Sequence, residues 1–461
     1  MNIPLTWEQL RHFHKDPRVI RLWRSCLGPL LRWLHPGRRR VLLGLGALIV
    51  AARQPIRMLR DNAMVAGFIM DQATMLRVAG LMFVFAAACY GVATRFGSLP
   101  TFVRRHPVIV LHAAFWALLA LVWTTAPAHP TLLPILTGCA IVMPFLIWRL
   151  SYLLLTAQRG KMTGTRPQDH ALYLWPLWGG TNTPYGKGFD YLRSTEASDE
   201  ESLARSQLAG LKLIILAVTF RIAARAMDGL VFGAENGYRR AAGGLTLGLP
   251  TVESLLSAPP GTHSALTGGL ALYCDLFLHV LKLAASGHMI IGYLRLCGFN
   301  VFRNTYKPLL AETIAEFWNR YYYYFKELLV HFFFFPTFVR YFKQSPRLRL
   351  FMAVLASAFL GNIYYHVIQD DSLVRGDWRE LARMQGPRAS YCFLLAVGIY
   401  LSMRREQRQQ GPRAARSRLR RAAAIFGVWT FFAFIQVFAY PDPPFGKRLE
   451  SVLGLIGIGM S

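Results

Sequence analysis

The chain has 461 residues, 54% of them hydrophobic and only 16% charged, with a mean hydropathy of +0.30. That balance excludes an ordinary soluble globular domain and makes a lipid bilayer the main solvent. The formal net charge of +28 raises nucleic acid as a partner, but the basic residues lie in short loops beside apolar runs and not on a soluble basic module, so no nucleic-acid partner is expected and the positive-inside rule accounts for them.

In chain order, the first forty residues lack a continuous apolar core before a small-residue site, so no cleavable signal is expected. Segment 1–40 carries Arg18, Arg21, Trp23, Arg24, Arg32, Trp33 and Arg38 to Arg40. It reads either as a basic amphipathic helix lying on an anionic leaflet or as a charged flank that orients the first span. Residues 41–156 form an N-terminal membrane scaffold with spans near 41–57, 76–95, 107–126 and 131–156, the first of them short, with 58–75 as its candidate continuation. Loop 157–206 is polar and turn-rich, and Ser198, Asp199, Glu200 and Glu201 supply an N-cap and acidic first turn for the next helix.

Further spans are expected near 207–228, 265–295, 350–370, 388–403 and 421–440, with less regular apolar pieces at 323–342 and 449–460. The fold class is therefore all-α and polytopic, with about nine to eleven transmembrane helices and re-entrant or interfacial helices around a central tunnel. Residues 207–440 make the functional core and 441–461 a C-terminal apolar segment. A cytoplasmic N-terminus places Arg104, Arg105, the 157–206 loop, 296–312, Arg347, Arg349 and the run Arg404 to Arg421 on the cytoplasmic side. The six cysteines are scattered without a C-x-x-C pair, which argues against a disulfide or zinc framework. No H-E-x-x-H, P-loop or dinucleotide fingerprint occurs.

Residues 296–346 interleave Arg303, Lys307, Glu312, Glu316, Arg320, Lys326 and Glu327 with Trp318, the tyrosines Tyr321 to Tyr324 and the phenylalanines Phe332 to Phe335. Polar backbone at membrane depth is tolerated only where protein buries it or water reaches it, so this segment reads as the wall of a cavity. Here the chain runs Gly287-His288-Met289-Ile290-Ile291-Gly292-Tyr293-Leu294-Arg295-Leu296-Cys297-Gly298-Phe299, then Asn304-Thr305-Tyr306-Lys307-Pro308, then Thr313-Ile314-Ala315-Glu316-Phe317-Trp318-Asn319-Arg320-Tyr321-Tyr322, and reaches Pro336. In register and spacing this stretch resembles the membrane-bound O-acyltransferases, notably the bacterial alginate-acetylation and teichoic-acid-alanylation branches. The resemblance covers roughly 265–370, about a quarter of the chain.

The resemblance implies transfer of an acyl group from a cytoplasmic thioester to a hydroxyl, in a bacterial inner membrane. The family's second mark is a histidine inside a later apolar span, and His366 fits it. Imidazole suits removal of a hydroxyl proton, and an ionisable residue in a span is a functional candidate. Asn362 and Asp370 lie one turn to either side of it. Where those branches carry a histidine after paired arginines this chain has Tyr322, so the accessory polar role passes to Tyr322, to Asn319 or to neither. His288 and His331 stand where the family has aspartates.

The candidate catalytic residues are thus His366, Asn319, Tyr322 and Asn362, and the candidate substrate-binding residues Trp318, Arg320, Arg295, Arg303, Lys307, Tyr323 and Lys326. No tightly bound cofactor is expected. The donor would be acyl-coenzyme A or an acyl-carrier thioester, and the other partners membrane lipids, a hydroxyl-bearing acceptor (glycan, lipid or secondary metabolite) and a soluble carrier or accessory protein. A membrane transporter or export partner for a lipid or glycan is the competing reading. Against it stand the lack of an internal repeat and of paired membrane carboxylates for ion coupling.

Overall fold

The computed structural model describes residues 12–42, 45, 64–65, 68–69, 71–125, 129, 131–162, 165, 187–259, 261–408, 417–440 and 442–455. Its longer helices are α1 (Pro17–Trp33), α2 (Gln72–Thr94), α3 (Pro107–Thr124), α4 (Leu132–Gln158), α5 (Glu200–Ala226) and α6 (Ala265–Leu296). There follow α7 (Ile314–Tyr321), α8 (Tyr323–Leu329), α9 (Phe335–Arg340), α10 (Pro346–Val354), α11 (Asn362–Val367), α12 (Asp371–Arg375), α13 (Trp378–Arg408), α14 (Arg418–Ile435) and α15 (Phe445–Leu455). A two-stranded ribbon, Met64–Val65 with Phe68–Ile69, is the only sheet among the described residues.

Among the described residues, seven helical stretches are long and apolar enough to cross a membrane: Gln72–Thr94, Pro107–Thr124, Leu132–Gln158, Glu200–Val231, Ala265–Leu296, Pro346–Val367 and Arg418–Ala439. The protein is an all-α polytopic membrane protein. A helix is the form these runs take because it satisfies every backbone N–H and C=O within the segment, which hydrocarbon cannot do. The expected span at 41–57 falls mostly outside the described residues. The one at 388–403 is helical within α13, but the charges of that 31-residue helix keep it out of the apolar set. The piece at 323–342 is broken into α8, a π-helical turn (Val330–Phe334) and α9. The one at 449–460 is helical as far as Leu455.

The chain divides into two compact units, Met1–Ile215 with His288–Arg303 and Gln369–Asp377, and Leu216–Gly287 with Asn304–Ile368 and Trp378–Ser461. In the first unit, α1 is amphipathic, and its apolar residues Ile20 and Leu31, with Leu34, pack on Ala197, Leu203, Ala204 and Leu208. That face is thus covered by protein, and the indole of Trp23 donates to Gln207 at 2.9 Å. Buried Arg39 donates to the carbonyls of Leu34 and Ala197, both at 2.7 Å, so an arginine of the basic flank works as an interior tie. Gly210 and Gly292 let two helical backbones meet: a methyl at Gly210 would stand 2.7 Å from the Gly292 carbonyl oxygen.

Asp199 caps α5 by accepting from the Ser202 N–H at 2.8 Å. The Ser202 backbone and then the Ser198 hydroxyl hold this carboxyl below its ordinary range. Its contribution to stability is therefore fully present above the ordinary aspartate pKa and fades as pH falls through the lowered one. Asp199→Ala is expected to cost about 1 kcal/mol, read as a lower thermal midpoint at neutral pH and a smaller difference in acid.

Candidate functional site

The second unit holds His366, and its surroundings begin with a break in regular helix. Thr313 caps α7, accepting from the Glu316 N–H at 3.1 Å, and Glu316 reaches back to the Glu312 N–H at 2.7 Å. The helix stops at Tyr322, whose φ of −138° and ψ of 66° leave the helical region before α8 resumes. The opened backbone is satisfied by the segment that follows α6. The Asn304 carbonyl accepts from the Tyr323 N–H at 2.9 Å and its side-chain Oδ1 from the Tyr324 N–H at 3.2 Å. Thr305 Oγ1 donates to the Tyr321 carbonyl at 2.9 Å, and the Tyr306 N–H to the Arg320 carbonyl at 2.7 Å. Asn304 is fully buried, so the N-x-x-x-P motif works as a backbone clamp on the tyrosine run.

Two π-helical turns flank the histidine, Val330–Phe334 after α8 and Leu355–Gly361 before α11. Such turns shift the register of a helix face and recur at functional sites. They meet at Gly361, where a methyl would lie 2.5 Å from the Phe333 ring. Gly361→Ala must push that ring aside, and overpacking of this kind costs about 1–3 kcal/mol. The expected readout is a lower melting temperature in nanodiscs, with partial recovery when Phe333→Leu is added.

Beyond the second π turn, α11 carries Asn362 and His366 one helical turn apart. The half-buried ring of His366 lies 6.2 Å from the Phe325 ring and 5.5 Å from that of Tyr365, edge-on to both. Among the described residues its nitrogens have no hydrogen-bond partner. Asn362 is 2% exposed, and its Oδ1 is buried and equally unpaired. Burying an unsatisfied amide oxygen costs about 1–3 kcal/mol, a cost that a hydrogen-bonding ligand or water would remove. Arg388, bonded to Gln385 at 3.0 Å, is the charged group whose field reaches the imidazole.

Phe325, which the sequence reading passed over, is the hub of this wall. Besides His366 it meets the rings of Tyr365 at 4.9 Å, Tyr322 at 5.4 Å and Trp318 at 6.3 Å. Tyr322 and Trp318 thus join the cluster around His366. Asn319 is exposed on α7, whereas its neighbours Phe317 and Trp318 are buried. Asp370 belongs to the first unit, where it caps α12 by accepting from the Ser372 N–H at 3.0 Å.

The candidate binding cations are largely engaged by protein. Arg320 pairs with Glu316 and leans on the Lys307 carbonyl. Lys326 pairs with Glu327 and sits 4.9 Å over the Tyr323 ring. Exposed Lys307 holds a left-handed φ of 50° with its ammonium 5.5 Å over Tyr306. In the first unit, Arg295 is buried and gives Nε and Nη2 to the Val301 carbonyl at 3.0 and 2.7 Å. Arg303, half-buried, acts with Lys212 on His14, whose pKa burial above all lowers to about 4. His288 is buried, and the His331 ring stands 5.2 Å from Phe332.

A cavity of about 510 Å³ lies among α7, α13 and α14. Its wall is mostly apolar (Leu394, Val397, Leu401, Val428, Phe431), and Glu312, Arg405 and Glu406 also line it. Among the described residues no cluster of His, Cys, Asp and Glu could hold a metal ion. No protein-family model matches the chain, and no curated protein matches it.

Proposed function

We propose that this protein is a membrane-embedded O-acyltransferase in which His366 is the general base. The observation that carries the reading is the His366 imidazole, half-buried in a membrane helix, without a hydrogen-bond partner among the described residues and one turn from the buried Asn362 amide oxygen, which is likewise unpaired among them. In this reading the acceptor hydroxyl gives its proton to His366 as its oxygen attacks the thioester carbonyl. The new O–C bond forms, the C–S bond breaks, and the proton passes on to the departing thiolate. Because the reacting O–H gives its one proton to His366, Asn362 Oδ1 accepts from a second hydroxyl of the acceptor, while Phe325, Trp318, Tyr322 and Tyr365 exclude water.

The donor is acyl-coenzyme A or a carrier-protein thioester presented from the cytoplasm, and the apolar cavity that Arg405 helps to line suits the acyl chain. No tightly bound cofactor takes part. The chain lies in a bacterial inner membrane with a cytoplasmic N-terminus and about nine to eleven membrane elements. Its partners are lipids, the thioester donor, a glycan, lipid or secondary-metabolite acceptor, and a soluble carrier or accessory protein. The test is thioester turnover by protein in nanodiscs, using a panel of radiolabelled acyl thioesters with membrane extract as acceptor. Label transferred to an extract component, together with stoichiometric free thiol, supports the reading. Its absence with every coenzyme A and carrier donor sinks it.

A further inference from the structure

A second polar site lies in the same unit, built on α6. Asp275 and His279, both ionisable residue types, are one turn apart in an apolar helix. His279 Nδ1 lies 3.1 Å from an Asp275 carboxylate oxygen and 3.0 Å from the Asp275 carbonyl. Both neighbours are acceptors, so Nδ1 carries a proton, and in the neutral ring Nε2 is left as an acceptor. The Tyr440 hydroxyl donates to the same carboxylate at 3.5 Å. Asp275 is buried, whereas the His279 side chain is 54% exposed.

The pair faces a pocket of about 300 Å³. Tyr321 and Tyr391 line it, with hydroxyls that have no hydrogen-bond partner among the described residues, and Gln436 borders it. Its apolar wall is the stacked pair Phe317 and Phe432, ring centroids 3.9 Å apart. Aromatic faces beside several hydroxyl groups, an oriented imidazole and a carboxylate are the lining that a hydroxyl-rich head group needs: each of its O–H groups finds an acceptor and its C–H face a ring.

The pocket's place along the helices gives it a direction. It takes Phe432 to Tyr440 at the end of α14 and the segment after it, whereas the apolar cavity takes Ala423 and Ala424 beside the basic start, Arg418 to Arg421. The positive-inside rule assigns that basic start to the cytoplasm, which leaves the Asp275 pocket toward the other leaflet.

We propose that Asp275, His279 and Tyr440 form a binding site for the polyol head of an amphiphilic acceptor that enters from the leaflet opposite the thioester donor. The word acceptor rests on the acyl-transfer reading; the binding does not. The probe is hexyl β-D-glucopyranoside, compared with hexan-1-ol, added to the full chain in nanodiscs and read by saturation-transfer NMR. The wild type is expected to bind the glucoside at least about tenfold more tightly than the alcohol. His279→Gln, Asp275→Asn and Tyr440→Phe each remove that preference, and His366→Ala keeps it while losing turnover. Should Asp275→Asn fail to fold, His279→Gln and Tyr440→Phe carry the test. Equal binding of the two probes by the wild type, or an undiminished preference in the folded His279→Gln and Tyr440→Phe proteins, overturns the proposal. Glucoside preference with no thioester turnover by the wild type leaves the site standing and removes the acyl-transfer reading instead.

Discussion

Alanine in place of His366 is expected to lower thioester turnover by about 10²–10⁴, the usual contribution of a positioned general base. Expression, size-exclusion profile and thermal midpoint in nanodiscs should hold within about 1 kcal/mol equivalent. The ring makes no hydrogen bond to protein among the described residues, and its neighbours Phe325 and Tyr365 also pack on each other. Its removal takes away packing at a half-buried site and leaves no buried polar partner stranded. A structural histidine would behave in the opposite way, with a fallen midpoint and an unchanged rate per folded molecule. His366→Gln sharpens the contrast, because glutamine retains a polar tip without a titratable nitrogen. Turnover recovered in that variant would show that hydrogen bonding, not proton removal, is what the position supplies.

How much of this was legible in the sequence varies residue by residue. The apolar runs marked the membrane helices because hydrocarbon imposes one requirement on every turn, and composition reports it directly. His366 stood out for the same reason, as an ionisable residue in an apolar run. Phe325 did not stand out: it sits between Tyr321 to Tyr324 and Phe332 to Phe335, where composition is aromatic throughout and only the break at Tyr322 decides which ring turns inward. The cations were legible as charges, but their partners were not. Glu316 stands four residues before Arg320, a spacing that predicts the observed pair, whereas nothing in the sequence around Arg295 announces the Val301 carbonyl as its acceptor. Asp275 and His279 carried the same one-turn signal in the middle of an apolar helix. That signal was readable, and it was obscured by the motif eight residues further along.

The glycines divide in the same way. Gly292 falls in the stretch that resembles the acyltransferases, but its reason is local: it lies where the Gly210 carbonyl comes within 3.0 Å of any added methyl. Gly361, five residues before His366, is required by the Phe333 ring. Neither has a positive φ, so close approach between elements, a property of tertiary structure, is what calls for glycine at both.

Asn362→Leu is expected to move stability and turnover in opposite directions. The side chain is 2% exposed with an unpaired oxygen, so an apolar residue with the same branched outline removes a desolvation cost of about 1–3 kcal/mol without leaving a partner unsatisfied. The midpoint in nanodiscs should therefore rise. If the amide oxygen holds a second hydroxyl of the acceptor beside His366, losing a hydrogen bond made during the reaction lowers turnover by about 10- to 100-fold. The loss should fall on the acceptor-dependent rate and spare the Kd for the thioester donor. Asn362→Asp separates geometry from polarity, since it keeps an acceptor oxygen at the same reach but adds a charge in an apolar helix, and it should lose stability as well as rate. A destabilised Asn362→Leu protein would mean that the amide is satisfied in the resting protein. A stabilised one with undiminished turnover would remove Asn362 from the reaction and leave His366 to act without it.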